Sequence, residues 1–201
     1  MPQGGGSGRS AHPDELDAVS RCLAGAFFED PVWGHWAFPD AASRAARMPR
    51  LLGCWAEAAI SRPWVRVTPE IEAVAVWIPP GVAEMTERQE AEFEDLVDEL
   101  FGDRAQQLND VFSEFDSNHP GDEPHYYLSM LGTHRDHTGQ GIGMGLLRGC
   151  LAEIDEQGMP AYLESTNPAN LPRYEALGFR PRSAFGPPGG PVITTMWRAA
   201  R

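Results

Sequence analysis

The chain has 201 residues, a formal net charge of -13 and 42% hydrophobic residues. A chain of this length is expected to form one domain with a sizeable core, and its negative charge disfavours binding to nucleic-acid phosphates while attracting cationic molecules. All 16 basic residues are arginines, which excludes Schiff-base chemistry and phosphate binding by lysine.

The sequence also predicts a compartment. No apolar run approaches the roughly 20 residues that a membrane span needs, and the opening MPQGGGSGRSAHP has neither the charged nor the apolar region of a signal peptide. We expect a soluble, cytoplasmic protein without a membrane partner, with a flexible tail over residues 1–13 and a single domain over 14–201. The widely spaced Cys22, Cys54 and Cys150 predict buried thiols rather than disulfides or a metal site.

The first third of the chain combines a helical pattern with a cluster of aromatic residues. Apolar residues recur at helical spacing from Asp14 to Phe27. In the following stretch FFEDPVWGHWAFPD, Pro31, Gly34 and Pro39 interrupt the helix. The aromatic residues there suit a second short helix or a loop over a pocket, and an ordinary aromatic core corner fits equally well.

The middle of the chain predicts helices around a pair of strands. Met48 to Ile60 is amphipathic, and residues 64–67 and 71–78 have strand patterns. The second strand should stop at Pro79, because proline cannot donate to a sheet ladder. Residues 84–100 predict a helix with eight acidic side chains. We interpret these side chains as a solvated face of the helix in preference to a cation site.

The last third alternates strands and helices, without an internal repeat. The predicted elements are a strand over 125–132, a helix from about 141 to 157, a strand over 161–165, a short helix that opens at Asn167-Pro168 or Asn170 and is closed by Gly178, and a strand over 192–197.

Glycines occupy alternate positions between the first strand and the first helix of this part, in HTGQGIGMG from His137 to Gly145. Neither register of these glycines gives the G-x-G-x-x-G dinucleotide pattern, and a P-loop needs a lysine. What remains is a set of free N–H groups at a helix N-terminus, which favours phosphate oxygens if no side chains at Gly141 and Gly143 block the approach. A bare turn without a ligand would show the same glycines.

Two ordered motifs carry a resemblance to a known family. Gly141-Ile142-Gly143 forms the glycine half of one signature, and YLESTNPANLPRYEALGF over residues 162–179 is similar to the second. The chain thus resembles the GCN5-related N-acetyltransferase (GNAT) family. AVAVWIPPGV at 73–82 and the closing TMWR extend the resemblance to its puromycin N-acetyltransferase-like branch. Thr138 replaces the family's Gln or Arg, and Arg135 replaces a frequent Pro.

The resemblance implies an acetyl-CoA enzyme of the α+β class in α/β/α layers. Its central sheet would be mixed and mostly antiparallel, with splayed central strands that hold the pantetheine arm. Acetyl-CoA, as co-substrate, would contact the backbone at Leu131 and Thr133, the loop residues Thr138, Gly139, Gln140, Gly141, Gly143 and Met144, and Asn170, which as a helix N-cap has an alternative role. Because Thr138 lacks the longer Gln or Arg side chain of the family, acetyl-CoA binding should be modestly weaker and still have micromolar affinity.

The same resemblance places catalytic candidates near the thioester. Tyr174 matches the general acid that protonates the departing thiolate, although packing in the last helix is its plain alternative. Glu164 is the best candidate for the base or for binding the ammonium group, with a structural ion pair as the alternative. His125 and Tyr126 are reserves.

The expected acceptor is the primary amine of a small molecule, with a puromycin-like antibiotic as the leading example. Phe28, Trp33, Trp36 and Trp77, near Phe27, would bind a flat cationic acceptor, and acetylation would give antibiotic resistance by removing its charge. A non-catalytic acetyl-CoA-binding sensor and a protein or peptide N-acetyltransferase are the alternatives. No metal and no nucleic acid is expected, and the protein should be a monomer or homodimer.

Overall fold

A computed structural model describes residues 8–121 and 123–201. Its strands are β1 (Arg9–Ser10), β2 (Val65–Val67), β3 (Ala73–Ile78), β4 (Tyr126–Thr133), β5 (Ala161–Ser165), β6 (Arg180–Phe185) and β7 (Ile193–Arg198). They form one sheet in the order β1-β2-β3-β4-β5-β7-β6. Only the β4–β5 pair is parallel among the described strands. The mixed, mostly antiparallel sheet expected from the sequence is therefore confirmed.

Helices cover both faces of this sheet. They are α1 (Leu16–Phe27), α2 (Ala41–Ile60), α3 (Glu87–Phe101), α4 (Ala105–Asn118), α5 (Ile142–Glu156) and α6 (Leu171–Glu175), with a π-helix over Pro31–Ala37. In one hydrophobic cluster, the helices α1, α2, α3 and α4 and the π-helix pack against one face of the sheet. In a second cluster, α5 and α6 pack against the opposite face. The predicted α/β/α layering is confirmed. None of the described helices is long and apolar enough to cross a membrane.

The start of α3 leaves one acidic residue outside the helix. Thr86 Oγ1 accepts a hydrogen bond from Gln89 N at 3.3 Å, and Gln89 Oε1 accepts one from Thr86 N at 3.1 Å. This capping box fixes the first turn at Glu87. The helix predicted from Glu84 therefore begins three residues later, and Glu84 lies in the loop that follows β3.

Helix α4 and strand β6 have no counterpart in the sequence prediction. Helix α4 follows α3 after the short 3-10 turn Gly102–Arg104, so their polar, acidic patterns run together. Strand β6 lies at the edge of the sheet with most of its residues exposed. It contains Pro181, which edge strands tolerate, and it lacks the alternation that marks a half-buried strand.

The last residues of the predicted N-terminal tail are structured. Arg9 and Ser10 pair with Val67 and Arg66 of β2, and the Arg9 guanidinium donates two hydrogen bonds of 2.7 Å to Glu15. Residues 8–13 thus include a strand rather than a flexible tail. Residues 1–7 of the predicted tail lie outside the described residues.

Strands β4 and β5 separate along their length. Their last paired residues are Leu128 and Leu163, yet β4 continues to Thr133 alongside β3 and β5 continues to Ser165 alongside β7. The gap beyond Leu128 and Leu163 is called the fork below. It confirms the splayed central strands, and it leaves backbone polar groups on the inner edges of both strands without a sheet partner.

An ion pair ties α5 to the last strand and to the segment after α6. Arg198, 3% exposed, donates two hydrogen bonds of 2.6 Å to Asp155 and one of 2.9 Å to Leu177 O. Because α5 and α6 both border the fork, this pair helps to fix the fork's geometry.

Asp155→Ala is expected to lower the free energy of unfolding by about 3 kcal/mol at neutral pH, because it leaves a buried guanidinium without its counter-charge. Glu156→Ala, at an exposed neighbouring position, should change it by less than about 0.5 kcal/mol. Urea unfolding measures the free energy of unfolding of both variants.

The contribution of this ion pair depends on pH. Arg198 lowers the pKa of Asp155, so the pair stabilises the fold above the unfolded pKa of about 3.9. This stabilisation is lost as the pH falls through the lower pKa of the folded state. A difference between wild type and variant that stays constant below about pH 4 would contradict this assignment.

Candidate functional site

A cavity of about 660 Å³ opens at the fork on the side of the sheet covered by α1 to α4. Its lining is strongly acidic and includes no arginine or histidine among the described residues. The lining carboxylates are Glu29, Asp30, Glu84, Glu90, Glu94, Asp116 and Glu164. An environment of this charge favours cationic ligands.

Aromatic side chains form one wall of this cavity. Trp33 of the π-helix stacks on Phe112 and Phe115 of α4, with ring centroids 5.8 and 5.7 Å apart, and it contacts Trp55 of α2 at 6.3 Å. The prediction that this part of the chain forms a short helix over a pocket agrees with the position of Trp33 and of Phe27, which lines the cavity too. The two phenylalanines were missed because α4 was not predicted.

Three of the predicted acceptor residues are not among the lining residues. Trp77 is completely buried beneath α5, because alternate residues of β3 face opposite sides of the sheet. Trp36 packs under the Arg104 guanidinium at 5.1 Å. Phe28 packs against the guanidinium groups of Arg44 and Arg135 at 4.8 and 5.3 Å. The structure therefore does not place these three predicted acceptor residues at this cavity.

The glycine loop leads into α5 through left-handed backbone. Gly139 and Gly141 have φ of 78° and 74°, and a Cβ atom at either would meet no protein atom within 4 Å. Gly141 is the N-cap of α5, and no side chain caps the first N–H groups of this 15-residue helix. Anions bind readily at such a terminus.

Gly143 has a different reason to be glycine. A Cβ atom there would lie 2.4 Å from Thr133 Oγ1, so the bare backbone lets α5 pack closely on β4. Thr138 Oγ1 donates a hydrogen bond of 3.0 Å to Arg135 O and so stabilises the turn itself. Gln140 is exposed, and Met144 packs against the second hydrophobic cluster.

The inner edge of β4 presents backbone groups to the fork. His134 N donates to Glu72 O at 2.8 Å, continuing the ladder that pairs Gly132 with Val74. Because hydrogen-bonding residues alternate in an antiparallel pair, the N–H and C=O groups of Leu131 and Thr133 point away from β3. They therefore face the fork, as the resemblance implies for residues that contact pantetheine.

Tyr174 of α6 lines the same cavity and is 9% exposed. Burial, with a smaller contribution from the charge of Asp30, raises the pKa of Tyr174 to about 12, so the phenol keeps its proton at neutral pH. Asp30 is held in place from two elements. Its Oδ1 accepts from Val32 N and Trp33 N at 2.9 and 3.0 Å, and its Oδ2 accepts from Thr166 Oγ1 at 2.7 Å.

Asn170 lines the cavity without capping a helix. Its Oδ1 accepts a hydrogen bond of 3.0 Å from Arg173, and it makes no side-chain cap to α6. The capping residue of this segment is Asn167, whose Oδ1 accepts from Ala169 N at 3.0 Å. Asn170 therefore occupies the N-cap position of α6, but its side chain makes no capping hydrogen bond there.

Glu164 lies at the fork, and its side chain is 3% exposed. Its Oε1 lies 3.6 Å from His119 Nδ1 and receives no hydrogen bond from the described residues. Burial and the charge of Glu164 raise the pKa values of Tyr127 and Tyr162. A buried carboxylate with a free oxygen at a cavity is suited to binding a cation.

Glu84 is an acidic residue of the site that sequence reasoning missed as a functional group. Ser129 Oγ donates a short hydrogen bond to Glu84 Oε1. Burial, opposed by this hydrogen bond and reinforced by the charge of Glu164, raises the pKa of Glu84 to about 7. The only signal in the sequence was its place in an acidic stretch, and that pattern did not distinguish it from its solvated neighbours.

A second cavity of about 460 Å³ adjoins the first. Both cavities are lined by Glu84, Asp116 and Glu164, and the second is also lined by His119 and His125, whose Nε2 atoms lie 3.3 Å apart. Burial lowers the pKa of His125. Tyr126, the other reserve base, donates to Gln157, the C-cap of α5, at 2.7 Å and packs in the cluster on the opposite face of the sheet.

Comparison with known proteins agrees with this geometry. Residues 105–179 match the model of the acetyltransferase (GNAT) family. A histone acetyltransferase HPA2 and related acetyltransferase from Corynebacterium glutamicum has 23% identity over 96% of this chain and 94% of its own, with a TM-score of 0.62. Arylalkylamine N-acetyltransferase 2 from Aedes aegypti has 14% identity over 96% and 97%, with a TM-score of 0.63. A mutant agmatine N-acetyltransferase in its apo form has 16% identity over 95% and 97%, with a TM-score of 0.56.

At these identities the solved structures establish the fold, and the matched segment runs from α4 through the glycine loop to the end of the second motif. Residues 105–179 are therefore similar to the acetyltransferase (GNAT) family, and the chain as a whole shares the fold of these solved structures.

Proposed function

We propose that this protein transfers the acetyl group of acetyl-CoA to the primary amine of a small molecule. One observation carries the proposal: a phenol held in its protonated form, Tyr174, and a buried carboxylate, Glu164, line a single cavity at the fork. A cation-binding cavity beside an acid and a carboxylate has the groups that amine acetylation requires.

The residues present fit acetyl-CoA as a substrate. The free N–H groups that open α5 would bind its pyrophosphate, and the inward-facing backbone of Leu131 and Thr133 would hydrogen-bond its pantetheine arm along the fork. Asn170, free of a capping role, is available at the same cavity. Because backbone donors dominate this arrangement, the threonine at position 138 is compatible with binding.

The proposed chemistry assigns one task to each side chain. The acceptor enters as an ammonium ion attracted by the carboxylates, loses a proton, and attacks the thioester carbon as a neutral amine. Glu164 holds the ammonium group or accepts its proton. When the carbon–sulfur bond breaks, Tyr174 protonates the departing thiolate and recovers a proton from the nitrogen. No covalent enzyme intermediate is needed.

The acceptor class follows from the walls of the cavity. Trp33, Trp55 and Phe112 provide flat apolar surface next to the carboxylates, which suits an aromatic or long-chain amine. Two of the similar structures are named as an arylalkylamine and an agmatine N-acetyltransferase, in keeping with a small amine. A puromycin-like antibiotic combines an aromatic group with a primary amine, so we retain it as a candidate, with antibiotic resistance in the cytoplasm as the corresponding role.

The first experiment follows thiol release from acetyl-CoA with a colorimetric disulfide reagent. We expect turnover with at least one aromatic primary amine in a panel that includes puromycin, an arylalkylamine and agmatine, and no turnover with the N-acetylated forms of the same compounds. Turnover only with basic peptides would favour a peptide N-acetyltransferase. Acetyl-CoA binding by calorimetry without turnover on any amine or peptide would contradict the proposed enzyme and favour a sensor.

A further inference from the structure

We propose that Glu84, rather than Glu164, accepts the proton that the acceptor's ammonium group loses, while Glu164 holds that group at the fork. The assignment rests on the proposed function and extends it to a residue outside both sequence motifs.

Ser129 and Glu164 are the first residues beyond the last β4–β5 pair. Leu128 pairs with Leu163, so Ser129 and Glu164 occupy corresponding positions on the two edges of the fork. Side chains alternate across a strand, which places both on the face opposite Leu128 and Leu163, the face that carries the acidic cavity.

Glu84 reaches the fork through Ser129. The capping box of α3 keeps residue 84 in the loop after β3, and the hydroxyl of Ser129 donates a hydrogen bond to its carboxyl group. One carboxyl group thus stands at each edge of the fork, each belonging to both cavities. An ammonium group bound at the fork would contact Glu164 on one side and Glu84 on the other.

The surroundings of the two carboxylates divide the roles between them. Glu164 Oε1 is buried, lacks a hydrogen bond from the described residues and lies near His119, so a bound cation satisfies it. Glu84 is faced by Ser129 and Tyr127 of β4, Glu164 of β5, and Asp116 and His119 at the end of α4. Burial and the neighbouring carboxylates raise the pKa of Glu84 to about 7. A base is most efficient when its pKa lies near the working pH.

The protons of the reaction balance with this assignment. The ammonium nitrogen passes one proton to the Glu84 carboxylate and attacks the thioester carbon, forming the carbon–nitrogen bond. Its second proton replaces the one that Tyr174 gives to the sulfur when the carbon–sulfur bond breaks. Glu84 then releases its proton into the second cavity, where His119 and His125 lie, so one proton leaves the protein in each turnover.

The test compares three variants with wild type, using an amine that the wild type acetylates. E84Q should lower kcat about 100-fold and remove the acid limb near neutral pH from the pH profile of kcat, while the Kd for acetyl-CoA stays unchanged. E87Q, at an exposed position in the first turn of α3, should keep the wild-type kcat and profile. In S129A the lost hydrogen bond, which lowers the pKa of Glu84, should move the acid limb to higher pH.

Each contrary result has a distinct meaning. An E84Q protein with wild-type kcat and an unchanged acid limb would overturn the role of Glu84 and leave the proposed function standing. An E84Q protein that no longer binds acetyl-CoA would also overturn it, because the residue would then be structural. A wild type that acetylates no amine would overturn both proposals together.

Discussion

Replacing Tyr174 by phenylalanine is expected to lower kcat about 100-fold or more, with the Kd for acetyl-CoA unchanged. The substitution removes only the hydroxyl group and keeps the ring that packs against Phe179, 6.1 Å away between centroids. Without this acid, the thiolate must leave without a proton. Stopped-flow or steady-state thiol release gives kcat, and calorimetry gives the Kd.

Tyr126→Phe is the matched control for this change. Its hydroxyl bonds Gln157 on the opposite face of the sheet, so its loss should reduce stability by about 1 kcal/mol and leave kcat as it is. Because the pKa of Tyr174 is raised to about 12, no basic limb below about pH 10 should come from this residue. Equal kcat values in the two variants would contradict the role of Tyr174 as general acid.

Gly141→Ala is expected to weaken acetyl-CoA binding about tenfold or more, which corresponds to the loss of one charge-assisted hydrogen bond. Gly141 has a φ of 74°, a conformation that costs an alanine about 1–2 kcal/mol. There is open space around the new methyl group, so the backbone itself is what resists the change. Turning it toward right-handed geometry would turn the N–H groups of the loop away from the pyrophosphate.

Gly145→Ala makes the same chemical change at a position where the backbone permits it. Gly145 lies inside α5, where a Cβ atom would meet open space and where φ is not positive, so alanine should stabilise the helix by about 0.5–1 kcal/mol. Calorimetry should show micromolar acetyl-CoA binding for wild type and for Gly145→Ala. An unchanged Kd in Gly141→Ala would contradict the proposed pyrophosphate site.

The elements around the candidate site that the sequence predicted correctly are contiguous in the chain. The glycine loop, the strand that precedes it and the helix that follows it are adjacent segments, and their order alone predicts a helix N-terminus open to an anion. Strand β5 was likewise predicted with its observed bounds, Ala161–Ser165. In both cases the information is local, because turn conformation and strand alternation depend on near neighbours.

The parts that were missed depend on distant segments. Tryptophan is a residue type common in binding sites, but only the structure shows that Trp77 faces α5. Glu84 is one acidic residue among eight in its stretch, and it becomes special through Ser129, a residue of another strand. The aromatic wall required α4, whose pattern merges with that of α3. These contacts join residues that are distant in the sequence, so a local hydrophobic pattern could not predict them and the folded structure was needed to show them.

The acidic lining of the cavity also determines how a catalytic cycle would end. The acceptor arrives with a positive charge, and acetylation converts its ammonium group into a neutral amide. The seven carboxylates that line the cavity therefore attract the ammonium group of the substrate and not the amide that replaces it. Under the proposed function, the reaction itself removes the attraction between the carboxylates and the ammonium group, and this loss favours release of the product.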